Sequence, residues 1–218
     1  MKVGQFTDTF LPVVDGVGRV VSHYAHIMGE LCEACYVITP RQTNFDQGEA
    51  AYEIVDYRGI CLPKMRQYRV GLPMLDSRYR RHLADLQLDI VHAHSPFVAG
   101  REAYRVSRRQ GIPLVATFHS KYYDDFYQVT HSKTLSKLGI RFVVDFFSKC
   151  DQVWAVSSST AEVLRSYGYK GSIEIMENGT DLKGPNVEAA RVVEERYGLG
   201  QLQALLFVGQ MNWKKNIR

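Results

Sequence analysis

Short apolar runs alternate with amphipathic stretches along this chain, which is the pattern of strand and helix units repeated over a parallel sheet. In the first amphipathic stretch, Val20, Tyr24 and Ile27 stand at helical spacing. Predicted strands cover residues 2–6, 35–39, 52–57, 89–93, 113–118, 152–156 and 172–176. Predicted helices cover residues 18–31, 76–86, 97–110, 133–150 and 159–167. The pattern indicates an α/β fold, a parallel sheet with helices on both faces.

The pattern changes after residue 181. Residues 183–186 read Lys-Gly-Pro-Asn, a linker composition, and residues 187–197 predict a charged helix. Residues 204–208 are an apolar run that predicts a strand, and a single strand with no helix after it cannot bury its side chains. We therefore expect a first domain over residues 1–181, and a linker with the start of a second domain over residues 182–218.

Composition places the chain among ordinary globular proteins. Apolar residues make up 45% and charged residues 23%, enough for a core that needs no disulfide or metal. The first residues lack the basic and apolar regions of a secretory signal, and no apolar run approaches the roughly 20 residues of a membrane-spanning helix. We therefore expect a cytoplasmic protein, and attachment to a membrane surface stays open.

The cysteines give no sign of a metal site. Cys32 and Cys35 form one CxxC pair, and zinc would need two further ligands at matching spacing. In the cytosol we expect reduced thiols, with a redox role for this pair as the alternative.

Candidate chemistry is sought where strands end, because open parallel sheets bind ligands at the carboxyl ends of their strands. After the first strand, Gly16 allows a close backbone approach, and the following helix offers free N–H groups and a positive dipole end to a phosphate. The dinucleotide fingerprint is absent because Val21 stands where its third glycine belongs. A simple tight turn is the alternative.

Histidines mark the ends of two later strands. His92 and His94 share a strand face but have no third metal ligand, so we expect His94, with Ser95 beside it, to contact a ligand. A structural role, the alternative, suits His92 better. His119 ends the next strand, where a side chain that changes charge near neutral pH suits a hydroxyl or phosphate group. Lys121 and Tyr122 add a cationic and aromatic loop that suits sugars and phosphates.

These stretches together resemble a known family. The segments are TDTFLP, DGVGRVV, YVITP, DIVHAHSPF, PLVATFHS, DQVWAVSSST, IEIMENGTD and LLFVGQMNWKKNI. In this order and spacing, they resemble the retaining family 4 glycosyltransferases of GT-B fold, over nearly the whole chain. Members that glucosylate diacylglycerol have a similar opening and a similar basic surface.

The resemblance implies two Rossmann-like domains that face each other across a cleft, the first for the acceptor and the second for the nucleotide sugar. It implies that the loop of Asp15, Gly16 and Val17 approaches the donor phosphate and the acceptor, and that His119 is catalytic and contacts the donor sugar. Further implied contacts are Asn178, which with Asp181 matches the NGxD segment, and the diphosphate-binding Gly209 and Lys215.

Two departures from the family pattern follow. Gln210 stands where the family has an arginine, so one cationic contact is missing or comes from Lys214. The chain ends at Arg218, before the family's nucleotide pocket and paired glutamates. We therefore expect this chain alone to lack transfer activity.

Basic residues concentrate in one segment. Residues 58–82 hold seven basic residues and one acidic residue, in a chain whose net charge is +4. Apolar residues interleave with these cations, which indicates contact with an anionic membrane surface. The expected contacts are Arg66, Arg69, Arg78, Arg80 and Arg81. A solvated basic helix face is the alternative, and without a nucleic-acid module we expect no nucleic-acid partner.

The resulting hypothesis is a transferase that moves a hexose from a nucleotide sugar, UDP-glucose in the first instance, to a lipid or glycan hydroxyl with retention. It would use no metal or other cofactor and would lie in the cytoplasm, peripherally on the inner face of the plasma membrane. The alternatives are a non-catalytic module that binds an acceptor or a membrane, and a sugar-nucleotide epimerase of similar fold.

Overall fold

The computed structural model describes residues 1–13, 15–42, 50–62, 65–180, 184–200 and 202–209, with the backbone alone at residues 62 and 65–68. The chain divides into two compact units, Met1–Gly179 and Thr180–Arg218. The division lies close to the domain boundary expected after residue 181. That the second unit begins a donor-binding domain stays a prediction.

The first unit is built on a parallel sheet. Its strands and those of a separate hairpin are, in chain order, β1 Lys2–Phe6, β2 Ala34–Pro40, β3 Glu53–Tyr57, β4 Gly59–Leu62, β5 Met65–Gly71, β6 Ile90–Ala93, β7 Leu114–Phe118, β8 Gln152–Ala155 and β9 Glu174–Ile175. Seven of them form the sheet in the order β3-β2-β1-β6-β7-β8-β9, and every neighbouring pair is parallel. This confirms the predicted α/β class, and the strand order is Rossmann-like.

Helices connect the strands and cover both faces of the sheet. They are α1 Gly16–Leu31, α2 Ser77–Asp85, α3 Val98–Gln110, α4 Tyr122–Thr130, α5 Lys133–Phe147 and α6 Ser158–Ser166. The second unit contains a separate helix, α7 Val187–Tyr197. The side chain of Asp15 starts α1 by accepting a hydrogen bond from the backbone N–H of Gly18 (2.6 Å). Gly111 ends α3 in the left-handed conformation, which glycine adopts without a steric penalty.

Two apolar clusters form the core, one on each face of the sheet. Val37 packs in the cluster that contains Val21 of α1, whereas its neighbour Ile38 packs in the larger cluster with Ala103 of α3 and Phe146 of α5. Successive strand side chains point to opposite faces, so one continuous apolar strand serves both clusters.

Three elements differ from the sequence predictions. The strands β4 and β5 pair as an antiparallel two-stranded sheet, where no strand was predicted. The loop expected after His119 contains a helix, α4, because Tyr122, Tyr123 and Phe126 pack inward at helical spacing. The strand predicted at residues 204–208 is wrong: this run has no strand conformation, and Leu205 is 98% exposed. An apolar run becomes a strand only where another strand takes up its backbone hydrogen bonds.

The four cysteines are free thiols. Burial, with a smaller contribution from Cys32, raises the pKa of the Cys35 thiol to about 12. The thiolate form of Cys35 is therefore scarce at neutral pH, which makes this thiol a poor nucleophile. In the parts of the chain that the structure describes, no helix has the length and apolar character needed to cross a bilayer.

Gly100 tests how tightly α3 packs against the end of β6. A Cβ atom at this position would lie 2.0 Å from the carbonyl oxygen of Ser95 and 2.9 Å from the Phe146 ring. Because backbone must shift to admit it, we expect Gly100→Ala to lower the free energy of unfolding by about 1–3 kcal/mol in urea denaturation. Gly16→Ala is the control: its Cβ would meet no atom within 4 Å, so we expect a change within about 0.5 kcal/mol. Equal stabilities of the two variants would contradict this packing.

Candidate functional site

The candidate site lies where the strand order reverses, between β1 and β6. From β1 the chain continues to β2 and β3 on one side, and from β6 it continues to β7, β8 and β9 on the other. In such sheets the crevice at the carboxyl ends of the two central strands is where ligands bind. β1 and β6 pair in parallel with Gln5 opposite His92, so the residues that follow both strands emerge at the same edge.

His94 and His119 meet at this edge, as the sequence led us to expect. The Nδ1 atom of His94 lies 3.1 Å from Nε2 of His119, and its Nε2 atom lies 2.7 Å from Oε1 of Gln5. His94 is only 1% exposed, and both of its ring nitrogens have protein partners. A direct contact between His94 and a ligand would therefore require one of these hydrogen bonds to break, whereas His119 is partly exposed.

All three histidines of the cluster are neutral at neutral pH. Burial lowers the pKa of His119 to about 4. Burial, with a smaller contribution from His119, lowers the pKa of His92 to about 3. The pKa of His94 is lowered well below its usual value by burial first and by the other two histidines second. The expectation that His119 changes charge near neutral pH is therefore wrong, because its surroundings disfavour the imidazolium, and it acts as a neutral hydrogen-bonding group.

His92 has the structural role that was its alternative. Its Nε2 atom lies 2.7 Å from Oγ1 of Thr117 on the neighbouring strand β7. The rings of Tyr24 and Trp154 both contact it edge to face, with centroids 5.5 Å and 5.0 Å away. His92 thereby joins α1, β6, β7 and β8 beneath the site and supports the ring of His94 above it, 4.0 Å away.

Asp8 is a member of the site that sequence reasoning missed. Its carboxylate accepts hydrogen bonds from the hydroxyl of Ser95 and from the backbone N–H of Ala99 (3.0 Å). Phe97, the residue that precedes α3, supplies no side-chain cap, so Asp8 provides this cap from the end of β1. Burial raises the pKa of Asp8, while its bonds to Ser95 and Ala99 oppose that change. The aspartate of the TDTFLP segment was the only signal available.

Ser95 and Tyr122, both expected to contact substrate, are engaged inside the protein. The hydroxyl of Ser95 donates to Asp8. Tyr122 is buried, with its ring edge to face against Phe97 and Phe118, and burial raises its pKa. Tyr122 is therefore a core residue, which corrects its assignment to a binding loop. Lys121 beside it is exposed.

The remaining expected residues are placed as follows. Asp15 caps α1, Gly16 is exposed in its first turn, and Val17 packs at the edge of the α1 cluster. Asn178 is exposed at the end of the first unit, and Gly209 is exposed in the second. Asp181, Gln210, Lys214 and Lys215 lie outside the described residues. Among the residues that are described, no group of three or more His, Cys, Asp or Glu side chains is arranged to hold a metal ion.

Comparison with known proteins gives a family match. The family model described as Glycosyltransferase Family 4 matches residues 14–183. The chain is 25% identical to an alpha-monoglucosyldiacylglycerol synthase of Acholeplasma laidlawii, over 84% of this chain and 47% of that protein. It is 22% identical to a synthase of the same name from Streptococcus pneumoniae, over 100% of this chain and 51% of that protein.

Two further similarities extend the comparison. A GDP-mannose-dependent alpha-mannosyltransferase of Corynebacterium glutamicum is 26% identical, over 77% of this chain and 41% of that protein. A sucrose-phosphate synthase from Thermosynechococcus elongatus superposes with a TM-score of 0.68 at 15% identity, over 88% of this chain and 52% of that one. This structural likeness supports the fold alone. The chain spans about half the length of the curated relatives it matches.

The buried histidines predict a loss of stability in acid. An unfolded histidine has a pKa of about 6.5, whereas the pKa values of His119 and His92 in the folded chain are about 4 and about 3. Between these values the unfolded chain binds protons that the folded chain does not, so the free energy of unfolding falls as the pH falls from about 6.5 to about 4. Each histidine contributes at most about 1.4 kcal/mol per pH unit in this window.

Urea denaturation at a series of pH values from roughly 7.5 to 4.5, which spans that window, measures how steeply the free energy of unfolding changes with pH. We expect His119→Gln to make this slope shallower and His23→Ala, at an exposed position of α1, to leave it unchanged. Asp8 is present in all three proteins, so the difference between slopes isolates the buried histidine. The same slope in His119→Gln as in the wild type would show that folding does not lower the pKa of His119.

Proposed function

Since the chain belongs to glycosyltransferase family 4, we propose that the protein transfers glucose from UDP-glucose to the hydroxyl group of diacylglycerol or a related lipid, with retention of configuration. In this proposal, the part described here is the acceptor-side half of the enzyme. The observation that carries it is the position of His119, a neutral and partly exposed imidazole that follows β7 and meets His94 beside the reversal point of a parallel sheet.

The relatives support the choice of sugar and acceptor. Two of them are named as synthases of alpha-monoglucosyldiacylglycerol, and they align over 84% and 100% of this chain. The GDP-mannose-dependent mannosyltransferases favour a second donor, GDP-mannose, which a donor panel would distinguish. A glycan acceptor is the corresponding alternative for the lipid.

The geometry fits a reaction that depends on positioning and electrostatics. The first turn of α1 offers the positive end of a helix dipole to a donor phosphate, and the space above Gly16 is open. Asp15 already accepts the N–H of Gly18, so a phosphate would use the other N–H groups of this turn. His119 would hydrogen-bond the sugar.

In the proposed step, the acceptor hydroxyl attacks the anomeric carbon on the side from which the diphosphate departs. The bond between that carbon and the acceptor oxygen forms as the bond to the phosphate oxygen breaks, and the departing phosphate takes the hydroxyl proton. No metal or other cofactor enters the proposal.

His119→Ala, in the protein expressed from its complete reading frame, tests this function. With radiolabelled UDP-glucose and diacylglycerol in mixed micelles, we expect kcat to fall at least about 100-fold, the usual loss when one polar group is removed from a reacting centre. His23→Ala, a histidine exposed on α1, should leave kcat unchanged. The anomeric proton coupling of the product should show an α linkage.

Failure of the wild type to glycosylate any lipid or glycan from a panel of nucleotide sugars would refute the proposal. The 218-residue chain alone should transfer nothing.

The second part of the proposal is peripheral attachment to an anionic membrane, on the inner face of the plasma membrane. Arg78, Arg80 and Arg81 are exposed on α2, and among the described residues no carboxylate lies within salt-bridge distance of them. Beside them, Met74 is 62% exposed and Leu75 is 68% exposed. Cations with neighbouring apolar side chains favour the interface of an anionic bilayer.

Arg69 and Arg66, the other two expected membrane contacts, give less support to membrane attachment. Arg69 is partly buried, and its guanidinium lies 3.5 Å from the carbonyl oxygen of Gly59. The side chain of Arg66 lies outside the described part of the chain. An open cavity of about 390 Å³ between α2 and α3 adds Arg109 to the cationic surface, whereas Arg105, which also lines this cavity, is paired with Glu102 at 2.8 Å.

Liposome co-sedimentation tests the membrane part. Each cation near an anionic surface contributes about 1 kcal/mol, so replacing Arg78, Arg80 and Arg81 by Ala should weaken binding to phosphatidylglycerol vesicles roughly 100-fold. A triple Ala variant at Lys133, Lys137 and Arg141 removes the same charge from the exposed side of α5 and should bind nearly as the wild type. Equal losses in the two variants would mean that net charge, and not this surface, drives binding, and no pelleting of the wild type at low salt would remove the membrane proposal.

A further inference from the structure

A line of three side chains connects the interior of the sheet to the candidate site. Gln5 in β1 is 1% exposed, and its Oε1 atom lies 2.7 Å from Nε2 of His94. The other ring nitrogen of His94, Nδ1, lies 3.1 Å from Nε2 of His119. The pairing of β1 with β6 brings these side chains together. Gln5 lies opposite His92 in the ladder, and its side chain reaches His94, two positions further along on the same face.

The chemistry of these atoms leaves one arrangement of protons. A neutral imidazole has one N–H donor and one bare nitrogen that accepts. The carbonyl oxygen of Gln5 can only accept, so His94 must carry its proton on Nε2 and expose a lone pair at Nδ1. That lone pair requires a donor, and the partner is Nε2 of His119, which must therefore carry the proton of its own ring. Burial of both rings keeps them neutral at neutral pH.

We propose that Gln5 is a positioning residue that acts through His94 to hold His119 in its Nε2–H tautomer. The remaining nitrogen of His119, Nδ1, is then a hydrogen-bond acceptor. His119 is partly exposed, and no protein group in the described part of the chain hydrogen-bonds to this nitrogen.

The tautomer decides which ligand groups His119 can contact. An accepting Nδ1 pairs with a hydroxyl group, which can donate, and is repelled by a phosphate oxygen, which can only accept. The opposite tautomer would favour phosphate. The sequence left both partners open for His119, and the orientation of the Gln5 amide selects between them. Only this consequence for the ligand rests on the proposed function.

The tautomer can be read directly in the chain with no ligand added. In the protein labelled with ¹⁵N-histidine, long-range ¹H–¹⁵N correlation spectra at pH 7.5 distinguish the two neutral tautomers by which ring nitrogen carries the proton. We expect His94 and His119 both to be protonated on Nε2, with a preference of roughly tenfold, the size of one net hydrogen bond.

Gln5→Met removes the acceptor and keeps most of the side-chain volume, so we expect His119 to become a mixture of tautomers, with the preference falling to about twofold or less. Thr117→Val is the matched control: it removes a buried polar partner of His92 on the adjacent strand but none in the line from Gln5 to His119. This variant should keep the tautomer of His119, although both variants should be less stable than the wild type.

Three results would overturn the inference. The first is a wild-type His119 protonated on Nδ1, which would mean that the Gln5 amide group donates and that each hydrogen bond has the opposite direction. The second is an unchanged tautomer in a folded Gln5→Met variant, and the third is an equal change in Thr117→Val. Because these spectra need no donor or acceptor substrate, Gln5 can be confirmed as a positioning residue even if glucosyl transfer fails, and the reverse also holds.

Discussion

The parallel pairing of β1 with β6 is the constraint on which the rest of this structure depends. It joins residues some 90 positions apart in the chain, with Gln5 opposite His92 and Phe6 opposite Ala93. The strand order reverses at this pairing, so two loops diverge and leave a crevice between them. The hydrogen bonds that hold the candidate site together cross this pairing, as between Gln5 and His94, or the adjacent pairing of β6 with β7, as between His94 and His119.

Burial then determines what the site can do. Polar side chains taken out of water need partners, and here Gln5, His94 and His119 satisfy one another, as do Asp8, Ser95 and the first turn of α3. The same burial makes the imidazolium form costly, so the histidines are neutral partners with fixed donors and acceptors. Such a site is preorganised for hydrogen bonding and is poorly suited to carrying charge, which is consistent with a reaction whose charges reside on the substrate.

The basic surface has a different physical basis. Arg78, Arg80 and Arg81 project from a short helix whose buried side is secured by Tyr79 and Leu83 in the core. Asp76 caps this helix by accepting the N–H of Tyr79, and that bond lowers its pKa more than any other single contact does. The arginine side chains thus face solvent while the opposite side of the helix packs in the core.

The hydrophobic pattern determined most of the sheet by itself. The seven strands of the sheet and the helices α1, α2, α3, α5 and α6 follow from apolar spacing, because a strand buried on both faces is apolar along its length. The histidines at the ends of β6 and β7 were visible as polar residues that close such runs, whereas β4, β5 and α4 were not predicted. The eight segments that begin with TDTFLP, taken in their order and spacing, also indicated the family.

Only the tertiary structure decided the partners. Gln5 carries no local signal, and the only one for Asp8 is its place in the TDTFLP segment. Each contacts a residue nearly 90 positions away that is near only after β1 pairs with β6. Tyr122 looked like a loop aromatic until its packing against Phe97 and Phe118 showed a core residue. The apolar run at 204–208 has strand composition and no strand conformation, because composition supplies a propensity whereas hydrogen bonds require a neighbour. A sequence fixes which groups are present, and the distances and burial that set their protons, their charges and their partners arise only when distant segments pack together.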